Sequence, residues 1–155
     1  LLFNGSHAAD LAWAREESNK GEADRPDHRG DFDLAAYASV SVADERAAAR
    51  EAARPPVAYI AAGAAPPVLD RHDIDGETAA EIGEKISAGE FSAAFELVTP
   101  AMIDAFCLVG TVDDVADQMA AVLEHADSIV AGSPLGPDLE AAVELAAEAR
   151  TQATN

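Results

Sequence analysis

Ser128-Ile129-Val130-Ala131-Gly132-Ser133-Pro134-Leu135-Gly136-Pro137-Asp138 decides the fold, because an apolar strand over 127–131 runs through a Gly/Ser turn into a helix opened by Pro137. Corners of this kind belong to α/β proteins. These place ligands at the carboxyl ends of strands, where the turn offers unpaired N–H groups and the helix N-terminus favours negative charge. Gly132 and Ser133 are therefore candidate ligand residues, with Ser133 as a hydrogen-bond donor beside the backbone N–H groups around Gly132 and Gly136. A purely structural turn is the other reading. The corner is not a nucleophile elbow, since the serine follows Gly132 directly and Pro134 replaces the residue whose N–H would build an oxyanion hole.

The same layout opens the chain, which begins in mid-element. Leu1-Leu2-Phe3 reads as the tail of a strand, Asn4-Gly5-Ser6 as a small polar turn, and 7–18 as a helix with Leu11, Ala12 and Ala14 at helical spacing. Asn4, Gly5 and Ser6 form the second candidate ligand set, with an ordinary N-cap by Ser6 as the alternative. His7 reads as a solvent-facing first-turn residue. A polar loop over 19–31 follows, and in it Arg25, His28 and Arg29 make the one basic cluster, read as solvated loop or as a contact for an anionic substrate.

Between the two corners, 32–42 is apolar on both faces of its alternation, as buried parallel strands are. Asp44 is the candidate cap of the next helix, which Pro55-Pro56 should kink or restart before 57–62. Helices follow from Asp75 as cap, over 91–98 after Gly89, and from the cap-then-N1 pair Thr99-Pro100. Thr111 with Asp114 three residues on resembles a capping box before the stripe Val115, Met119, Val122 and Leu123. Trp13, Met102, Phe106 and Met119 read as core. The order is β-α-β-α-β-α, which calls for a parallel sheet with right-handed crossovers. Three parallel strands leave exposed edges, so the 155 residues read as a segment of a larger α/β domain.

Charge and cysteine usage narrow the partners. With 29 acidic and 10 basic residues the formal charge is -19, which opposes binding to nucleic acid or to an anionic membrane surface. Near 1 M salt the Debye length is about 3 Å, so such an excess suits a salt-rich cytoplasm, and with only Lys20 and Lys85 as lysines the composition looks haloarchaeal. No apolar run approaches membrane-spanning length and no charged-then-apolar leader is seen, so a cytoplasmic location is expected. The single Cys107 lies in an apolar run and reads as a small core residue. Asp70, His72 and Asp73 lack metal-ligand spacing, and 71–82 fails as a calcium loop because its twelfth position is Ile82, so no metal is expected. Neither a P-loop nor a dinucleotide-binding glycine fingerprint occurs.

Five blocks in order carry a family resemblance: Asn4-Gly5-Ser6, Tyr37-Ala38-Ser39-Val40-Ser41-Val42, 57–63, 105–111 and Gly132-Ser133-Pro134-Leu135-Gly136-Pro137-Asp138. Together they resemble the carboxy-terminal part of the methylenetetrahydromethanopterin reductase family, one of the bacterial-luciferase-like (β/α)8 barrels. The resemblance implies that 1–155 is the carboxy-terminal portion of a single barrel domain, about its last three βα units, with a helical insertion before the last strand and the amino-terminal half absent. It further implies hydride transfer between reduced coenzyme F420 and a methylene-tetrahydropterin, either methylenetetrahydromethanopterin or methylenetetrahydrofolate, in a homo-oligomer. No catalytic side chain carries over. Asn4, Gly5, Ser6, Gly132 and Ser133 match strand-end positions facing the barrel mouth and are assigned to coenzyme or substrate binding, while the isolated segment is expected to be inactive. Two alternatives stand beside this reading: a luciferase-like oxidoreductase using flavin mononucleotide (FMN), and an acidic helical interaction module without catalysis.

Overall fold

The computed structural model describes residues 1–22 and 24–154. Strands β1 (Leu2–Asn4), β2 (Ala35–Val42), β3 (Leu108–Gly110) and β4 (Ser128–Leu135) form one parallel sheet around β2. Helix α1 (Ala8–Glu22) joins β1 to β2. Helices α2 (Arg46–Gly63), α3 (Pro66–Arg71), α4 (Gly76–Ser87), α5 (Phe91–Glu96) and α6 (Pro100–Phe106) separate β2 from β3, α7 (Val112–Leu123) joins β3 to β4, and α8 (Leu139–Ala153) follows. On one edge of β2, β1 pairs with Ala35–Tyr37 and β3 with Val40–Val42, while β4 takes the other edge.

The alternation expected of β2 divides the core. Ala36, Ala38, Val40 and Val42 point to one face and are buried with Leu11 of α1, Val115, Met119 and Val122 of α7, and Ala142 and Ala149 of α8. On the other face the helical insertion covers the carboxyl end, where Val109 is buried and the hydroxyl of the fully buried Ser41 donates to the Ala49 carbonyl at 2.7 Å. The amino-terminal part of that face is open, with Leu2, Tyr37 and Val130 exposed.

Local signals hold where they are short-range. Asp75 caps α4 through the Glu77 and Thr78 amides, Thr99 caps α6 with Pro100 in its first turn, and Thr111 with Asp114 forms a complete capping box on α7. Hydrogen bonds from Arg46 and from the Thr111 amide hold the Asp114 carboxyl down to about 2. Its ionised contacts therefore stabilise the fold at and above the ordinary carboxylate pKa and are lost as pH falls toward 2.

Five expectations are corrected. The sheet has a fourth strand, β3, only three residues long and entered directly from α6 through Cys107. Helix α2 is not restarted at Pro55-Pro56 but continues through both, and it starts after Glu45 without a side-chain cap from Asp44. The two missing amides are tolerated because the rest of α2 is fixed from outside. Its face Ala49, Ala53, Val57, Ala58 and Ala61 is buried. Arg46, Arg50 and Arg54, four residues apart, reach Asp114, Asp104 and the Phe95 and Val98 carbonyls at 2.5 to 3.1 Å. Trp13 is not core but 45% exposed, with the Arg71 guanidinium 5.0 Å over its ring. Met102, Phe106 and Met119 are buried as expected.

The fifth correction falls on the defining corner. Strand β4 does not end at Ala131 but continues to Leu135, with Gly132 opposite Ser39 and Leu135 opposite Ser41. Two residues, Ser133 and Pro134, therefore face the single Val40, a bulge that absorbs a proline lacking the amide a regular ladder needs. Helix α8 starts at Leu139, directly after Asp138, whose side chain caps it by accepting from the Ala141 amide. That carboxylate, with Glu140 in the first turn, fills the helix N-terminus that the sequence offered to an anion.

Candidate functional site

Asn4 is the last residue of β1 and exposed. After it the chain turns through Gly5, whose amide donates to the Tyr37 carbonyl at 3.1 Å. A Cβ on Gly5 would stand 2.6 Å from the Phe3 ring, so the turn keeps its glycine for packing. Ser6 is buried. Its hydroxyl donates to the Phe106 carbonyl and accepts from the Ser39 amide, each at 3.1 Å, and so ties the β1 corner to the end of α6 and to β2. Ser6→Ala strands a buried carbonyl and a part-buried amide. We expect a loss of about 1 to 3 kcal/mol, read by urea denaturation of the intact protein.

These three residues floor a cavity of about 380 Å³ whose walls are Tyr59, Ile60, Gly63 and Ala64 of α2 and its end, Val68 of α3 and Phe106 of α6. The cavity thus lies at the carboxyl end of a parallel strand, where α/β folds bind ligands. Its walls are mostly apolar. The Asn4 amide, with two N–H donors and a carbonyl acceptor, supplies directional polar contact at its floor.

The second set lies elsewhere. Gly132 is buried on the open face of the sheet, where an added Cβ would sit 3.1 Å from the Tyr37 ring and hydroxyl and 3.2 Å from the Ala38 carbonyl. Ser133 is exposed at the bulge. Neither lines the 380 Å³ cavity. The structure therefore gathers Asn4, Gly5 and Ser6 in one wall and leaves Gly132 and Ser133 one strand away.

Asp10 reaches the same cavity from α1 and was not legible as a site residue. Its side chain is 6% exposed, pairs with the Arg71 guanidinium, and accepts a hydrogen bond from the His72 Nε2–H at 2.8 Å. His72 thus meets Asp10, 62 residues away in sequence, rather than its neighbours Asp70 and Asp73. Among the described residues no group of three or more His, Cys, Asp or Glu is arranged to hold a metal ion. His7 is half-buried instead of solvent-facing. Its Nδ1 accepts from the Ala9 amide at 3.2 Å, and burial, then the neighbouring His72, lower its pKa below the ordinary value.

Arg25 and Cys107 both make internal contacts. Arg25 donates to the Arg29 and Asp31 carbonyls and lies 5.8 Å from the Phe32 ring, so it fastens its own loop. Cys107 is buried and its thiol is pushed up to about 12 by burial, which leaves no thiolate at neutral pH. Among the described residues no helix is long and apolar enough to cross a membrane.

The luciferase-like monooxygenase family matches residues 1–128. The chain is 37% identical over 150 residues to the 5,10-methylenetetrahydromethanopterin reductase of Archaeoglobus fulgidus, an alignment covering 94% of this chain and 45% of the relative. It is 39% identical over 147 residues to the protein of the same name from Methanolobus tindarius, with the same coverage. The solved structure of the coenzyme F420 dependent tetrahydromethanopterin reductase from Methanopyrus kandleri superimposes with a TM-score of 0.83 at 39% identity, over 93% of this chain and 42% of that one. The chain therefore spans less than half the length of the relatives it matches.

Proposed function

The chain belongs to the luciferase-like monooxygenase family, and from that membership we propose that the intact protein is an oxidoreductase transferring a hydride between reduced coenzyme F420 and a methylene-tetrahydropterin. The observation that carries this reading is the superposition on the F420 dependent reductase, in which identity and fold run together along nearly the whole chain. In the same reading 1–155 is the carboxy-terminal portion of one (β/α)8 barrel. β1, β2 and β4 are its last three strands, and the open face bearing Leu2, Tyr37 and Val130 turns toward the barrel interior. A cytoplasmic homo-oligomer is part of the reading, as is a salt-rich setting for a chain of charge -19.

The reaction adds a hydride to the methylene carbon and a proton to the nitrogen released when one of its two C–N bonds breaks. The deazaflavin, when bound, supplies or accepts the hydride. What this chain contributes is placement. The cavity at the β1 end has the size and apolar walls to take part of a flat ring system, Ile60, Val68 and Phe106 exclude water from it, and Asn4 offers paired donors and an acceptor to ring amide groups. In this reading Asn4, Gly5 and Ser6 contact the ligand from the cavity floor, and Gly132 and Ser133, which do not line that cavity, meet the bound coenzyme or substrate from β4 on the far side of β2.

Asn4→Ala removes the one directional side-chain contact at the floor that is free of internal structure. In the intact protein it should raise the Michaelis constant for coenzyme or pterin by up to about tenfold without lowering thermal stability. Steady-state kinetics with both substrates varied checks this, and unchanged constants for both would remove Asn4 from the site. Spectral titration with the deazaflavin and with FMN in parallel separates the coenzymes. Tight binding of FMN alone would favour the flavin-dependent reading that the family's monooxygenase members suggest.

A further inference from the structure

The imidazole rings of His7 and His72 meet edge to face with centroids 4.8 Å apart. His7 stands at the start of α1, directly after the β1 corner, and His72 ends α3 in the helical insertion. Asp10, in the first turn of α1, is bound to both Arg71 and His72, and the His72 ring also meets Phe106 edge to face with centroids 6.1 Å apart. These contacts join the insertion to the sheet beside the cavity that Asp10 lines. The geometry points to a pH-sensitive latch, in which the His7–His72 pair holds the α3–α4 junction against the β1 corner while His7 is neutral and releases it when His7 is protonated.

Two features give the latch its sign. His7 Nδ1 accepts from the Ala9 amide, so a proton added there confronts an N–H and ends the cap on α1. A charged His7 also faces His72 across 4.8 Å in a partly desolvated place, where like charges repel most strongly. The charges around the pair are Asp10 of α1, Asp104 of α6, which faces His7 while bound to Arg50, and Arg71 of α3, which is occupied by Asp10. The two carboxylates favour the charged ring, but burial and His72 outweigh them and His7 lies below its ordinary 6.5. A base with a lowered folded pKa stabilises the closed form fully above 6.5 and loses that contribution as pH falls through its folded pKa. The latch is closed at neutral pH and opens on acidification.

Its consequence for catalysis rests on the ligand cavity proposed above, whereas the latch itself is read without ligand, so the two can fail separately. The amides of His72, Asp73 and Ile74 donate to the carbonyls of Leu69 and Asp70 and report the α3–α4 junction. In hydrogen exchange on the intact protein, corrected for the intrinsic pH dependence, their protection should fall about tenfold between about pH 7.5 and about pH 5. His7→Asn keeps a good N-cap and removes the ring, and its protection should change less than about threefold over the same interval. Asp10, Asp104 and Arg71 are common to both proteins, so the difference isolates the imidazole. His72→Gln tests the partner and should flatten the response in the same way. A wild-type protein with constant protection, or variants that respond as the wild type does, would overturn the latch.

Discussion

Replacing Asp10 with alanine lowers the unfolding free energy of the intact protein by about 3 to 5 kcal/mol, the cost of removing one partner from a buried charge cluster. Asp10 and His72 are 6% and 8% exposed at their side chains, and Arg71 is 25% exposed. Without the carboxylate, the guanidinium loses its counter-charge over Trp13, and the largely buried imidazole nitrogen loses its partner. The damage is not local to α1, because the same carboxylate fastens the insertion to the sheet across more than 60 residues of chain. Urea denaturation in molar salt, where surface charges are screened, reads the buried cluster selectively. A loss below about 1 kcal/mol would place the cluster among surface ion pairs and contradict this account.

Gly136→Ala should be nearly as costly, at about 3 kcal/mol. An added Cβ there would stand 2.4 Å from the Val42 carbonyl oxygen and 2.8 Å from the Ala142 Cβ, with the residue at φ +159°. The first of these is backbone at the carboxyl end of the central strand, and the second belongs to the buried face of α8, so neither can swing aside. Either the end of β2 or the seat of α8 must move. The sequence offered Gly136 as a source of N–H groups for a ligand, but its place in the structure is that of a close approach between strand and helix. Alanine at Gly132 is a milder change, since the nearest group is the movable Tyr37 ring at 3.1 Å. Differential scanning of the two variants side by side should rank them in that order, and equal melting temperatures would sink the distinction.

What was legible in the sequence was local. The caps of α4, α6 and α7 each rest on residues within three positions of one another, and the two-sided apolar pattern of 32–42 follows from burial between the helices on one face and the insertion at the end of the other. The family blocks added the fold, because their order along the chain reflects a shared topology. What was not legible depended on contacts made only after folding. β3 is three residues long and has no turn before it, so an apolar run of that size reads as the end of a helix. The bulge at Ser133 and Pro134 exists because β2 offers a ladder on both sides of it, which no local pattern reveals. His7, Asp10, Arg71 and His72 carry no spacing that unites them, and only the docking of α3 beside α1 does so. Of the five candidate ligand residues, the three at the β1 corner line one cavity, while Gly132 and Ser133 lie on β4, across β2 from it.

The most direct test of the central claim is a reductase assay on the intact protein in molar salt, following the visible band of reduced coenzyme F420 with methylenetetrahydromethanopterin or methylenetetrahydrofolate added. Coenzyme oxidation should depend on one of the two methylene donors, and the donor that works names the carrier. Folded protein that binds the coenzyme yet oxidises it with neither donor would contradict the assignment.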